Sequence, residues 1–164
     1  MKVLVFGPSG SGKTYVSRAL QQAGINAFDD SDIKGLSSWY SPQGAKVVAP
    51  QTADEAFAKG YSFLWDKKAL ERFVNQFTDV YVFGGSGNMT QVFDLFDKLY
   101  CLKISPQLQK ERLTNGTRET PQMDSNKDGL VIWGDWLEEL AKRNNIPFVD
   151  AALTPLEIYA IISQ

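Results

Sequence analysis

The stretch of this chain with the clearest chemical meaning is GPSGSGKT, at residues 7–14. It has glycines at its first and sixth positions, and the second of these glycines is followed directly by lysine and threonine. This is the pattern of a phosphate-binding loop, or P-loop. Glycines let the backbone wrap with its N–H groups towards phosphate oxygens, and the start of a following helix adds a partial positive charge. We therefore predict that the phosphates of a nucleotide bind at Gly7, Pro8, Ser9, Gly10, Ser11, Gly12, Lys13 and Thr14.

Two side chains of this loop have predicted chemical roles. Lys13 would reach the β- and γ-phosphates and contribute to catalysis, and Thr14 would hold Mg²⁺. ATP and Mg²⁺ are therefore the expected cofactors, although the motif does not separate ATP from GTP.

A P-loop also needs an acidic residue near its metal, usually at the end of a neighbouring strand. The strand-like run VYVF ends in Gly84 and Gly85, and Asp79 stands at its opposite end, about 13 Å away at ~3.3 Å per residue. This placement argues against motor and switch NTPases, which carry the acid on that strand. The available carboxylates follow another predicted strand: Asp29, Asp30 and Asp32.

The composition excludes several other chemistries. The chain has no histidine and one cysteine, Cys101, which lies in an apolar run typical of a core strand. Histidine-dependent triads and thiolate zinc sites are therefore excluded. A net charge of −2 gives no sign of a nucleic-acid surface. No apolar run approaches membrane length and no signal peptide is recognisable, so we expect a cytoplasmic protein, either a monomer or a homodimer.

Strand-like and helical stretches alternate along the chain. Apolar runs predict five strands, at residues 2–6, 25–28, 80–83, 100–104 and 147–150. This alternation predicts an α/β protein with the P-loop NTPase three-layer fold, a five-stranded parallel sheet with helices on both faces, in one domain spanning residues 1–164. Amphipathic spacing predicts single helices over 63–77 and 90–99, whereas residues 33–60 have no firm assignment.

Three further stretches resemble motifs of shikimate-kinase-like small-molecule kinases. AFDDSDI (27–33) resembles the Asp-x-Asp element of that group. VFGGSGN (82–88) resembles its glycine-rich turn, and ERLTNGTRE (111–119) resembles the start of its lid. The resemblance implies a kinase domain with an acceptor-binding region at about 33–78 and a lid at about 114–130.

The resemblance also implies roles for individual residues. Asp30 would hold Mg²⁺ through water beside Thr14, and Asp32 would face the acceptor and take the proton of its hydroxyl. The acceptor would lie against Gly84 and Gly85. Of the two lid arginines, one would pack on the adenine and one would reach the phosphates: Arg112 and Arg118.

Several alternatives remain open from the sequence. Asp30 and Asp32 could be helix-capping residues and nothing more. A nucleoside monophosphate kinase is the nearest functional alternative, but Arg72 is the only arginine between residues 19 and 111 that could grip an acceptor phosphate. Asp66 stands where shikimate kinases carry an arginine, so shikimate itself is not the expected acceptor. A module that binds and slowly hydrolyses ATP is a second alternative.

A last motif has two interpretations. DSNKDGLVIWGD, at residues 124–135, resembles a calcium-binding loop, with acidic and amide side chains at alternating positions and a glycine at the sixth. It also falls where a polar kinase lid is expected, which is the favoured interpretation. The sequence as a whole predicts an ATP-dependent kinase that transfers the γ-phosphate to a small acceptor, most simply a hydroxyl.

Overall fold

The structure, a computed structural model, describes residues 1–115 and 127–164. Its strands are β1 Lys2–Phe6, β2 Ala27–Asp29, β3 Ser37–Tyr40, β4 Lys46–Val47, β5 Ser62–Trp65, β6 Val80–Phe83, β7 Lys98–Lys103 and β8 Phe148–Asp150. Five of them form a parallel sheet in the order β2-β6-β1-β7-β8, which confirms the predicted fold class.

Helices cover both faces of the parallel sheet. They are α1 Lys13–Gln22, α2 Ala53–Ala58, α3 Lys67–Val74, α4 Pro106–Asn115, α5 Lys127–Arg143 and α6 Pro155–Ile162. Leu4 and Phe6 of β1 enter a core with α3 and α5, whereas Val3 and Val5 enter a second core with α1 and α6. Successive side chains of a strand point to opposite faces, so a central strand with both faces covered is apolar throughout.

A second, antiparallel sheet of three strands lies within residues 33–78, in the order β4-β3-β5. The prediction of one helix over 63–77 was therefore wrong, because its first residues form β5 and pair with β3. The side chain of Asp66 accepts a hydrogen bond from the N–H of Ala69 and caps α3, so the helix begins only at Lys67. The N–H of Asp66 donates to the carbonyl of Leu36 (2.8 Å) and closes the base of this sheet.

The predicted helix at 90–99 was also wrong. Two 3₁₀ turns, Met89–Gln91 and Phe93–Leu95, take its place, and β7 begins at Lys98. The apolar residues with helical spacing still enter the core beside α3 and α5: Met89, Val92 and Phe96. The short turns bury these side chains as a helix would, and they end before Lys98, where β7 begins to pair with β1.

The calcium-loop interpretation of residues 124–135, the less favoured of the two, does not fit α5. Residues 127–135 are helical, so their backbone cannot wrap around an ion. Residues 116–126, which include Arg118 and most of the predicted lid, lie outside the described residues. Cys101 is buried in the core, and this burial raises the pKa of its thiol to about 12. Within the described parts of the chain, every helix is too short or too polar to cross a membrane.

Candidate active site

The P-loop joins the buried end of β1 to the start of α1. Gly10 and Gly12 have φ angles of 81° and 88°, in the left-handed region that favours glycine, and they turn the chain into the helix. No side chain caps the N-terminus of α1, and no acidic residue lies in its first turn. The first N–H groups of a helix lack partners within it, so this uncapped end is a donor set that fits phosphate oxygens.

Lys13 lies folded back on its own loop. Its Nζ donates to the carbonyl oxygens of Gly7 (2.7 Å) and Pro8 (3.0 Å). Burial lowers the pKa of Lys13, while the carboxylates of Asp30 and Asp29 act in the opposite direction. The amine must leave the two carbonyls to reach a phosphate, and a phosphate would replace them as its partner.

Thr14 meets a carboxylate, and that carboxylate belongs to Asp29. Thr14 Oγ1 donates to Asp29 Oδ2 over 2.7 Å. The other oxygen of Asp29 accepts from the N–H and the hydroxyl of Ser31. The sequence analysis had placed Asp30 beside Thr14; the structure places the neighbouring residue there, because Asp29 ends β2 with its side chain turned towards α1.

Asp30 lies instead against the glycine-rich turn that follows β6. Its Oδ2 accepts from the N–H of Gly85 (3.3 Å). A β-carbon at Gly84 would lie 2.5 Å from the Asp30 side chain, so only glycine permits this approach. Burial, and next the charge of Asp29, raises the pKa of Asp30 to about 7. Asp30 is thus the carboxylate beside the predicted acceptor turn.

Asp32 has a local structural role in the 3₁₀ turn Asp30–Asp32. Its Oδ2 accepts from the N–H of Asp29 (3.3 Å), while Asp29 accepts from the turn, so the two form a reciprocal capping box. Asp32 is exposed, whereas Asp29 is buried. The sequence analysis weighed capping for this residue beside a catalytic role, and capping is what the described contacts display.

The side chain of Asn88 connects the antiparallel sheet β4-β3-β5 to the glycine-rich turn. Its side chain accepts from the N–H of Trp65 (2.9 Å) and donates to the carbonyl of the same residue (2.9 Å). The buried hydroxyl of Ser86 donates to Asn88 Oδ1, and the N–H of Gly87 donates to the carbonyl of Phe63 (2.7 Å). The sequence pattern predicted no role for Asn88, because its partner, Trp65, lies 23 residues away in the chain.

Arg112 holds the P-loop from the outside. Its guanidinium donates to the carbonyls of Gly10 (3.4 Å) and Ser11 (3.3 Å) and, more closely, to that of Ala151 (2.9 Å). Gln109, one turn earlier on α4, donates to the carbonyl of Ser9 (2.8 Å), a contact that the sequence analysis missed. In this structure Arg112 therefore positions the P-loop, and its predicted packing on an adenine stays a prediction.

The indole of Trp133, on α5, lies close to the glycine-rich turn. Its Cζ2 atom lies 3.7 Å from the position of a β-carbon built at Gly85, and Met89 Sδ lies 3.6 Å from the same point. Trp133 also stacks on Trp136, with ring centroids 5.0 Å apart. The helical pattern of α5 gave no hint of this approach, which depends on how α5 packs over the sheet.

A cleft of about 870 Å³ opens on the other side of the P-loop. It runs from Pro8 past the start of α4 to α5 and the ends of β7 and β8. Its lining includes Pro8 of the P-loop but not Lys13, Thr14, Asp29 or Asp30.

A magnesium site here would use few protein ligands. Among the described residues, no group of three or more histidine, cysteine, aspartate or glutamate side chains is placed to hold a metal. Mg²⁺ usually keeps several waters and takes one or two carboxylates together with substrate phosphates. The hydroxyl of Thr14 and the carboxylate of Asp29 fit that kind of site, with Asp30 adjacent.

Comparisons with known proteins agree with the fold. No protein-family model matches the sequence, and no curated protein matches it significantly. A gluconokinase structure from Sinorhizobium meliloti 1021 matches with a TM-score of 0.53 and 18% identity, over 96% of this chain and 86% of that chain. A deoxyadenosine kinase structure from M. mycoides, with bound dATP, matches with a TM-score of 0.56 and 16% identity, over 99% of this chain and 97% of that chain.

This likeness defines the class of fold. The chain has the P-loop α/β fold seen in these small-molecule kinases, and the resemblance noted from the sequence motifs is confirmed at that level. At identities below one fifth the likeness carries the fold alone, and the activity is argued below from the site.

Proposed function

We propose that the protein is an ATP-dependent kinase that transfers the γ-phosphate to a hydroxyl of a small molecule, with Mg²⁺ as cofactor. The observation that carries this proposal is the division of two adjacent carboxylates between the two halves of the site. Asp29 meets Thr14 at the P-loop, and Asp30 meets Gly85 at the acceptor turn. A transfer between a nucleotide and a second molecule needs both positions, whereas nucleotide binding alone needs only the first.

On the nucleotide side, the P-loop amides and Lys13 would bind the phosphates. Thr14 and Asp29 would hold Mg²⁺, whose chemistry is to neutralise charge on the phosphate oxygens during transfer. Arg112 would keep the loop in shape through its bonds to the Gly10 and Ser11 carbonyls. The predicted role of Arg118 at the transferring phosphate remains part of the proposal.

On the acceptor side, Asp30 takes the role that the sequence analysis gave to Asp32. The acceptor hydroxyl loses its proton to the Asp30 carboxylate as its oxygen forms a bond to the γ-phosphorus. The bond from that phosphorus to the β–γ bridging oxygen breaks, and ADP leaves with that oxygen. Burial and the charge of Asp29 raise the pKa of Asp30 in the free protein, which is the direction that suits a general base.

A nucleoside monophosphate acceptor is less well supported. Lysines could bind an acceptor phosphate in place of arginines, but two lysines of the segment 33–78 are engaged elsewhere. Lys59 pairs with Glu55 (2.6 Å), and Lys67 pairs with Asp94 (2.6 Å). The two similar structures are named as kinases of gluconate and of deoxyadenosine, which bear hydroxyls, and this favours a hydroxyl acceptor here.

The proposal is tested by measuring ADP release from ATP with and without a panel of sugars, polyols, nucleosides and nucleotides. We expect at least one hydroxyl compound to stimulate ADP release about tenfold or more, with Mg²⁺ required. Lys13→Ala should abolish the stimulation, because the amine that bridges to the β- and γ-phosphates is gone. ATP binding with slow hydrolysis that no compound stimulates would favour the nucleotide-binding module instead.

A further inference from the structure

The glycine-rich turn has little capacity to bind an anion. Three of its backbone N–H groups already donate within the protein. Gly84 donates to the carbonyl of Val5 (3.1 Å), Gly85 to Asp30 Oδ2 (3.3 Å) and Gly87 to the carbonyl of Phe63 (2.7 Å). A concave set of free amides is what binds a phosphate or carboxylate on a turn, and here those donors are occupied.

The charges around the turn also disfavour an anion. Asp29, Asp30 and Asp32 lie within four consecutive residues at this edge of the sheet, and the nearby ammonium of Lys13 is bonded to the carbonyls of Gly7 and Pro8. Among the described residues of the acceptor-side segment 33–78, no lysine or arginine is buried. Selective binding of a carboxylate or phosphate usually relies on a desolvated, bidentate arginine, and a nearby carboxylate would repel the anion.

The same turn presents a surface suited to a flat, uncharged ring. Gly85 is partly exposed and has no side chain, with the indole of Trp133 at its edge. Trp133 is held in place by stacking on Trp136 and by packing against the core. A fixed indole stacks well on a planar base or on the C–H face of a sugar. Asp30, on the other side of the turn, offers a carboxylate oxygen that a hydroxyl can bond.

We infer that the acceptor is an uncharged, hydroxyl-bearing ring compound that lies beside the partly exposed Gly85, with one face or edge against Trp133 and one hydroxyl towards Asp30. Trp133 is then a specificity-determining residue of the acceptor site. This inference rests on the proposed kinase function and adds the charge and shape of the acceptor to it. A nucleoside and a neutral sugar share this chemistry.

The charge of the acceptor is tested with matched pairs in the ADP-release assay. Adenosine is compared with AMP, and glucose with gluconate and glucose 6-phosphate, each with ATP and Mg²⁺. We expect the neutral member of the productive pair to have a kcat/KM at least tenfold above its anionic counterpart. The nucleoside and sugar arms distinguish the two sources of a neutral ring. Preference for gluconate or glucose 6-phosphate overturns the inference and leaves the kinase proposal intact. Preference for AMP indicates a nucleotide kinase and overturns both. If no member stimulates ADP release while another compound of the wider panel does, the kinase proposal stands and this inference fails.

The place of the acceptor is tested at Trp133. Trp133→Ala should raise the KM for the neutral acceptor about tenfold or more while the KM for ATP changes less than about twofold. Trp133→Phe keeps a flat ring and should recover most of the loss, which a purely structural role in α5 would not require. Leu156→Ala, at an exposed apolar residue of α6, is the matched control and should change neither KM. An unchanged acceptor KM in both Trp133 variants overturns the assignment of this residue.

Discussion

The Thr14 hydroxyl donates to the Asp29 carboxylate over 2.7 Å, and this contact joins the start of α1 to the end of β2. Asp30, the next residue, is turned towards the strand on the other side, where it accepts from the N–H of Gly85. Asp29 ends β2 in extended backbone and Asp30 begins the 3₁₀ turn, so the backbone changes direction between them and the two carboxylates accept from different partners, Thr14 and Gly85. The following predictions depend on this division.

Asp29 is expected to be the carboxylate on which the binding of Mg²⁺ depends. Asp29→Asn keeps the shape of the side chain and its bond to Thr14 but removes the charge. We expect the Mg²⁺ concentration for half-maximal turnover to rise about tenfold or more, measured by titrating Mg²⁺ at saturating ATP. Glu71→Gln, which neutralises an exposed carboxylate on α3, is the control. A larger shift in Asp30→Asn than in Asp29→Asn would restore the assignment made from the sequence.

Asp30 is expected to be the base for the acceptor, and Asp32 is not. Asp30→Asn should lower acceptor-dependent turnover by about 10²–10⁴-fold, the usual contribution of a general base. Asp32→Asn, which affects only a local capping contact, should lower it less than about threefold. ATP affinity should change little in either variant. The reverse order of the two effects would show that the exposed Asp32 moves to the acceptor during turnover.

The buried Asp30 should also make the stability of the free protein depend on pH. Burial raises its pKa from 3.8 to about 7, so the folded chain holds this proton more tightly than the unfolded chain does. Its contribution to the free energy of unfolding is therefore fully present below about pH 4 and is lost as the pH rises through about 7.

This dependence is measured by urea unfolding at about pH 5 and about pH 8, with a chelator and without nucleotide. We expect wild type to lose more stability than Asp30→Asn between the two values, because asparagine does not titrate. Parallel losses in the two proteins would mean that the Asp30 carboxyl has an ordinary pKa in the folded chain.

Gly84 and Gly85 should respond differently to the same small substitution. In Gly84→Ala the new methyl would lie 2.5 Å from the Asp30 side chain, and in Gly85→Ala it would make contacts at 3.6 and 3.7 Å. We expect Gly84→Ala to destabilise the fold by about 1–3 kcal/mol, as overpacking usually does. Gly85→Ala should change stability by less than about 1 kcal/mol, and thermal unfolding compares the two. Equal losses would place Asp30 elsewhere in solution.

The sequence predicted the parts of the molecule that local pattern determines. The P-loop and the parallel strands follow from a motif and from apolar runs within a few residues. The apolar run FLW before Asp66 is compatible with either a strand or a helix. It forms a strand because it pairs with β3. Pattern alone could not make that choice.

The sequence could not predict which carboxylate meets Thr14. The run DDSD contains three carboxylates, and which one faces Thr14 depends on where β2 ends and how the 3₁₀ turn begins. Asn88, Gln109 and Trp133 were missed because their partners are distant in the sequence. Such contacts leave no periodic signal.

Main-chain hydrogen bonds lie at the boundaries of the antiparallel sheet, which is relevant to exchanging this segment between proteins. Its entry and exit meet where the N–H of Asp66 bonds the carbonyl of Leu36. Asn88 grips β5 only through the main chain of Trp65, so that bond makes no demand on the side chains of the sheet. A chimera that exchanges the segment between these two boundaries would keep these main-chain bonds, but it must retain a side chain of similar volume at Trp65, since Trp65 is buried in the core beside α3.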